Sequence, residues 1–412
     1  MGTAGPLGAA ALATDYAERL VLGTVRDVHR AVAGRVHGVV DALAGGATVS
    51  HRVHDGVAAG VYSGVGLGMR ATARGLRTAD RVAARAGVAA LEDTARGRFV
   101  LSAVNGLVGD RLREESPEHF FEMGVRVAGR DVPLDAGGIA AAYPAATGTV
   151  AVFVHGLSES EAYWQRAARP RRDLGDQAVP GYAESLLEDG WTPVQVRVNT
   201  GLPIRENGAA LASLLDGLVG AWPQPVRRIA LIGHSMGGLI LRAACAVRLE
   251  PAPEGAGGRP WTDLVTDVVT LGTPHLGAPL ERLANAGARA LGRFPESAPF
   301  GRILEFRSPG ILDLRHGLAP DVQHLPRARY HLVAATLTRS ARNPVAETVG
   351  DLLVPYSSAI GRPRGGAEMF PGADVLHVPR ADHFDLLNHD AVREALRTWL
   401  HLDPAERPKE TR

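Results

Sequence analysis

The chain has 412 residues, 45% of them apolar and 22% charged, an ordinary globular composition long enough for one large domain with an appendage or for two domains. A formal net charge of +1 gives no electrostatic case for a nucleic-acid partner. Cys245 is the single cysteine, which excludes a disulfide within the chain. Nowhere do about 18 uninterrupted apolar residues occur, so no spanning helix is expected. Met1 to Ala13 lack a basic stretch ahead of their small apolar run, and Pro6 stands where a myristoylation motif needs Ser or Thr. A cytoplasmic protein is the expectation, with peripheral attachment to a membrane surface as a variant of it.

Residues 1–115 read as an all-helical region. Val25, Val28, Val32, Val36, Val39 and Leu43 recur at three- and four-residue intervals and line one helix face. Arg70, Arg74, Arg77, Arg81 and Arg85 repeat at the same intervals, with Leu76, Val82 and Val88 off that line. Such a basic amphipathic helix suits an anionic membrane surface, or a solvated face on a helix packed against the rest of the chain or a second copy of it. Peripheral membrane contact and self-association through these helices are both open at this stage. Valine and glycine make the helices weak on propensity alone, so packing has to sustain them.

From residue 122 to about 402 short strands alternate with helices. Val125 to Leu134 is expected to form an edge hairpin with Gly138 to Tyr143. Thr149 to Val154 and Thr192 to Val198 read as strands, and Glu206 to Ala221 as a helix. The apolar run Arg228 to Ile232 precedes Gly233-His234-Ser235-Met236-Gly237-Gly238 and a helical stretch from Leu239. Leu264 to Leu271, Tyr330 to Leu337 and Val375 to Val378 are further strands, and Asp390 to Leu400 closes the domain as a helix. Alternation of this kind implies an α/β fold, a mainly parallel doubly wound sheet with helices on both faces. Residues 279–325 interrupt it with Leu283, Leu291, Phe294, Phe300, Ile303, Leu304 and Phe306, too long and too apolar for a plain loop, and are expected to form a lid or cap.

The chemistry begins at Ser235. A strand–turn–helix carrying G-x-S-x-G presents its serine on a strained turn, with glycines where a Cβ would clash. A serine hydroxyl needs a base, and the base a carboxylate to orient it. In the doubly wound order both follow the serine, acid first. Asp351, after the Tyr330 to Leu337 strand, is the expected acid, and His383, after the last strand, the expected base. His389 is the competitor, but it opens the final helix, where the dipole disfavours an imidazolium. Asp382 and Asp385 sit too close to His383 in sequence to reach its ring from the required side. For the oxyanion hole the expected donors are the backbone amides of Met236 and Leu157, with Gly156 letting that loop approach. Cys245 reads as a buried, inert thiol.

Val154-His155-Gly156-Leu157, Gly233 to Gly238, Leu271 to Pro279, Gly350 to Ala359 and His383 to His389 occur in order. Together they resemble the α/β-hydrolase superfamily, in the lipase and esterase branch similar to GPI inositol-deacylases. The resemblance spans residues 122–402 and implies Ser235, Asp351 and His383 as a triad, acyl-ester substrates, small or lipid-like, and no cofactor or metal. His155 and His275 are then candidates for lining the pocket, against structural roles in their turns. Leu352 departs from the pattern, standing where many lipases carry glycine. The expected function is a serine carboxylic-ester hydrolase. A thioesterase or acyltransferase, and a membrane- or granule-surface binding protein with a secondary hydrolase domain, are the alternatives.

Overall fold

The computed structural model describes residues 5–16, 18, 49–86, 91–165, 179–247, 259–278, 308–318, 322–343, 346, 349–363 and 365–401. The expected Val25 to Leu43 helix lies outside them, as do residues 279–307 and 319–321 of the expected lid. The described residues fall into two compact units, divided between Leu101 and Ser102.

The first unit is helical. α1 (Pro6–Tyr16) and the long α2 (Val49–Arg85) are followed by a short turn and the start of α3 (Ala95–Glu115). α1 supplies carboxylates to the arginine row of α2: Arg77 pairs with Asp15, and Arg70 with Glu18 just beyond the helix. Of the expected apolar flank, Val82 is exposed and Leu76 partly buried, while Val88 is outside the described residues.

The division between the two units lies within α3, whose residues 102–115 belong to the second unit. Small residues explain the close seating there. A Cβ on Gly106 would stand 2.3 Å from Ser158 Oγ, and one on Gly109 2.1 Å from Asn199 Oδ1. Asn105 joins the same surface, accepting from Asn199 Nδ2 at 2.7 Å and donating to the His119 carbonyl at 2.7 Å.

The second unit is built on eight strands: β1 (Gly124–Val127), β2 (Arg130–Asp131), β3 (Thr149–Val154), β4 (Thr192–Arg197), β5 (Arg228–His234), β6 (Val265–Leu271), β7 (Arg329–Thr336) and β8 (Asp374–Pro379). Their order is β2-β1-β4-β3-β5-β6-β7-β8, with β1 antiparallel to its neighbours and β3 to β8 parallel. Every residue of β3 is buried, as the continuous apolar run Thr149 to Val154 requires of a strand covered on both faces. The helices α5 (Tyr182–Glu188), α6 (Ile204–Ala221), α7 (Met236–Ala246), α9 (Pro309–His316) and α11 (Asp390–Trp399) accompany the sheet, with the one-turn helices α8 (Trp261–Leu264) and α10 (Tyr356–Ala359) between strands.

One expected strand is a helix. Residues 136–142 form α4 (Ala136–Ala142), where Asp135 caps the first turn by accepting from Gly138 N at 2.8 Å. Four alanines favour the helix, and Ile139 is its one buried anchor. The hairpin partner of β1 is β2 alone.

After β3 the chain moves to β4 on one side, and after β5 to β6 on the other. The carboxyl ends of β3 and β5 therefore flank the point where strand order reverses, where open α/β sheets place their crevice. The loop at His155 and the turn at Ser235 leave from those two ends.

Candidate active site

Ser235 follows β5 with φ 52° and ψ −121°, a left-handed backbone that L residues adopt at a cost of roughly 1–3 kcal/mol. Two features hold the strain. Ser235 N donates to the Leu271 carbonyl at 2.8 Å, tying the turn to β6, and Gly238 N donates back to the Ser235 carbonyl at 3.1 Å. Close approach also demands glycine. A Cβ on Gly233 would lie 2.6 Å from Gly238 N, and one on Gly237 2.3 Å from the Val154 carbonyl oxygen. The turn is thus pressed against the ends of β3 and β6, with Ser235 at its apex.

Asp351 lies in the turn after β7, buried to 1% exposure. Its Oδ1 accepts from Leu353 N at 3.0 Å and Val354 N at 2.8 Å, which fixes the carboxylate plane. The other oxygen, Oδ2, accepts from His383 Nδ1 at 2.7 Å. Leu352, the departure from the lipase pattern, has φ 86°. The turn keeps the left-handed geometry that glycine would adopt freely and imposes it on a leucine, leaving the carboxylate directed at the histidine.

His383 follows β8 at the head of a short 3-10 turn (His383–Leu387). Asp382 caps that turn through Phe384 N and Asp385 N, and Asp385 accepts in return from Asp382 N at 2.8 Å. Both flanking aspartates are therefore occupied with backbone. His383 N donates to the Asp351 carbonyl at 3.0 Å, a second link between the two loops. Its ring lies over Gly272, where a Cβ would come within 3.1 Å of Cε1 and Nδ1. Burial disfavours the imidazolium, but the Asp351 charge and hydrogen bond, with Glu159 and Asp382 behind them, outweigh burial and hold His383 above its ordinary value. His389 is the N-cap of α11, its Nδ1 accepting from Ala391 N at 3.2 Å.

The loop after β3 reaches the elbow through Gly156, whose Cβ would stand 2.9 Å from Ser235 Cβ. Gly156 N donates to Glu159 Oε2 at 2.7 Å and Ser158 N to Thr200 Oγ1 at 3.0 Å, with Leu157 between them. Met236 is fully buried at the first position of α7.

Both expected pocket histidines have 0% exposure. His155 accepts from Val198 N at Nε2 and donates from Nδ1 to the Gly156 carbonyl, both at 3.0 Å, so its ring shapes the loop. Burial keeps it below its ordinary value. His275 bonds Thr270 Oγ1 at 3.1 Å and packs at 4.6 Å on Phe370. Burial, then the charges of Arg242 and His324, push it well below its ordinary range, which suits a neutral ring and not a proton carrier.

Two residues that sequence reasoning passed over stand beside Ser235 and His383. Glu159 is 3% exposed and His234 fully buried, and His234 Nδ1 lies 3.0 Å from Glu159 Oε2. His234 occupies the variable position of G-x-S, and Glu159 lies three residues beyond Gly156, so neither announces itself before the loops converge. Among the described residues no group of three metal-ligating side chains is placed to hold an ion, and no helix is long and apolar enough to cross a membrane.

The sequence profile of the PGAP1-like alpha/beta domain matches residues 213–288, from the middle of α6 through the elbow and past β6. That match, on a parallel sheet with a serine elbow at its reversal point, decides the fold. The chain has an α/β-hydrolase fold. It agrees with the resemblance carried by the five ordered motifs. Among solved structures, a Bacillus licheniformis lipase, BlEst2 in mature form, is similar at 20% identity over 63% of this chain and 94% of that one, with a TM-score of 0.39. A lipase-esterase related protein from Clostridium acetobutylicum is 15% identical over 61% and 94%, with a TM-score of 0.38. Naproxen esterase from Bacillus subtilis is 13% identical over 61% and 83%, with a TM-score of 0.38. No curated protein matches the chain.

Proposed function

We propose that the chain is a serine carboxylic-ester hydrolase with Ser235, Asp351 and His383 as its triad. The observation that carries this reading is the 2.7 Å bond from His383 Nδ1 to Asp351 Oδ2, made between loops that leave adjacent strands beside the strained Ser235 turn. With Nδ1 committed to the carboxylate, Nε2 is the nitrogen left to take the serine proton.

Ser235 attacks the ester carbonyl as His383 takes its proton. Asp351 holds the working tautomer and stabilises the imidazolium. The amides of Leu157 and Met236 receive the oxyanion, a contribution of about a hundred- to a thousandfold per donor in comparable sites. His383 then returns the proton to the leaving alcohol and activates water to release the acid. A hydrophobic acyl group is favoured by the apolar side chains in the sequence of residues 279–325.

Fluorophosphonate labelling followed by peptide mapping tests the nucleophile, and modification at Ser235 is the expected result. In a p-nitrophenyl ester assay, Ser235→Ala should lose about four to six orders of magnitude in turnover. Labelling at another residue, or ester hydrolysis retained in that variant, overturns the assignment.

A further inference from the structure

A second carboxylate–imidazole pair lies buried beside the triad, and the proposed hydrolysis gives it no part. Glu159 Oε2 accepts from Gly156 N at 2.7 Å, gripping the loop that carries Leu157. The same carboxylate faces His234 Nδ1, at 3.0 Å from Oε2 and 2.9 Å from Oε1. His234 Nε2 lies 3.1 Å from the His383 carbonyl oxygen. Both partners of His234 are hydrogen-bond acceptors, so each ring nitrogen faces an oxygen. In keeping with this, Glu159 lies below its ordinary value although burial opposes it, because the His234 charge and hydrogen bond outweigh burial. Aromatic rings enclose His234: Trp164 at 6.4 Å, Phe384 at 6.3 Å and the His383 ring at 4.7 Å.

The contacts form one chain running from the oxyanion loop through Glu159 and His234 to the backbone of the base. We propose that Glu159 and His234 are a positioning pair that sets the spacing of the Leu157 amide and the His383 ring about Ser235. The proposal rests on the ester-hydrolase reading above. Neither residue touches the substrate. Their effect comes through preorganisation, because donors and bases act fully only when held where charge develops before the reaction begins.

The test uses the full chain with a p-nitrophenyl ester, and turnover is expressed per fluorophosphonate-labelled Ser235 so that unfolded protein does not count. Glu159→Gln keeps the shape but removes the charge, and His234→Gln leaves a single amide to serve two acceptors. Each is expected to lower kcat per labelled site about 10- to 100-fold with KM within about twofold, the signature of an interaction exerted in the transition state. The double variant should be no slower than the worse single one, because the two act as a unit. If Glu159→Gln does not fold, His234→Gln carries the same expectation. An unchanged kcat per labelled site in a folded variant, or losses that multiply in the double variant, overturns the pair. Wild type that neither turns over nor labels at Ser235 overturns the hydrolase reading and the pair with it. An active, labelled wild type beside unchanged variants overturns the pair alone.

Discussion

Asp351→Asn isolates what the carboxylate does, because the surroundings of Asp351 dictate how an amide must sit. Oδ1 accepts from two backbone donors, Leu353 N and Val354 N, so the amide oxygen has to occupy that side. The amide nitrogen then faces His383 Nδ1 at the position of Oδ2, and His383 must offer a lone pair there. That moves the ring hydrogen to Nε2, the nitrogen required to accept the serine proton. Flipping the amide restores the working tautomer but sets an NH2 against two buried N–H groups. At about 1–3 kcal/mol for each buried donor left unsatisfied, the flip costs roughly 2–6 kcal/mol. At about 1.36 kcal/mol per decade this is a loss of roughly thirtyfold to twenty-five-thousandfold in kcat. Steady-state hydrolysis of a p-nitrophenyl ester measures it, with a thermal melt to establish folding. A folded variant within about threefold of wild-type kcat would refute both the tautomer argument and the role given to Asp351.

The pH dependence follows from His383. Catalysis needs its neutral ring, and Asp351 holds it above the ordinary histidine value of about 6.5, so kcat/KM should fall on acidification through a midpoint above about 6.5. A midpoint near 6 or below contradicts the arrangement. Stability runs the opposite way. A histidine that binds its proton more tightly when folded contributes its full stabilisation below about pH 6.5 and loses it as pH rises through the folded value. Chemical denaturation across that window measures this contribution, by comparing wild type with Asp351→Asn. Gly237→Ala would place a Cβ 2.3 Å from the Val154 carbonyl oxygen, pushing the elbow off β3. About 1–3 kcal/mol of stability should be lost, with slower fluorophosphonate labelling. An unchanged melting temperature and labelling rate would mean that the elbow does not depend on that close approach.

The legibility of this protein varied with the range of the interactions concerned. Thr149 to Val154 and Arg228 to Ile232 were readable as buried strands because both faces of each are covered, leaving no polar alternation. Residues 138–143 misled because the run is too short for periodicity to decide, whereas its alanines, the Asp135 cap and the Ile139 anchor favour a helix. The break at Ser102 was invisible for a related reason. α3 runs through it, and Gly106 and Gly109, meeting Ser158 and Asn199, seat its second half on the second unit.

Sequence alone pointed to the kind of chemistry proposed. The elbow, the two loops expected to hold acid and base, and their order along the chain are local features, written in glycines, strand runs and turn residues. Tertiary structure decided which side chains meet. Asp351 and His383 are 32 residues apart, Glu159 and His234 75, and His234 and the His383 carbonyl 149. Such contacts exist only because β3, β5, β6, β7 and β8 lie side by side and release their loops at one edge of the sheet. Strand pairing, not sequence proximity, turned a serine on a tight turn into the proposed centre of a site, with the buried Asp351–His383 and Glu159–His234 pairs beside it.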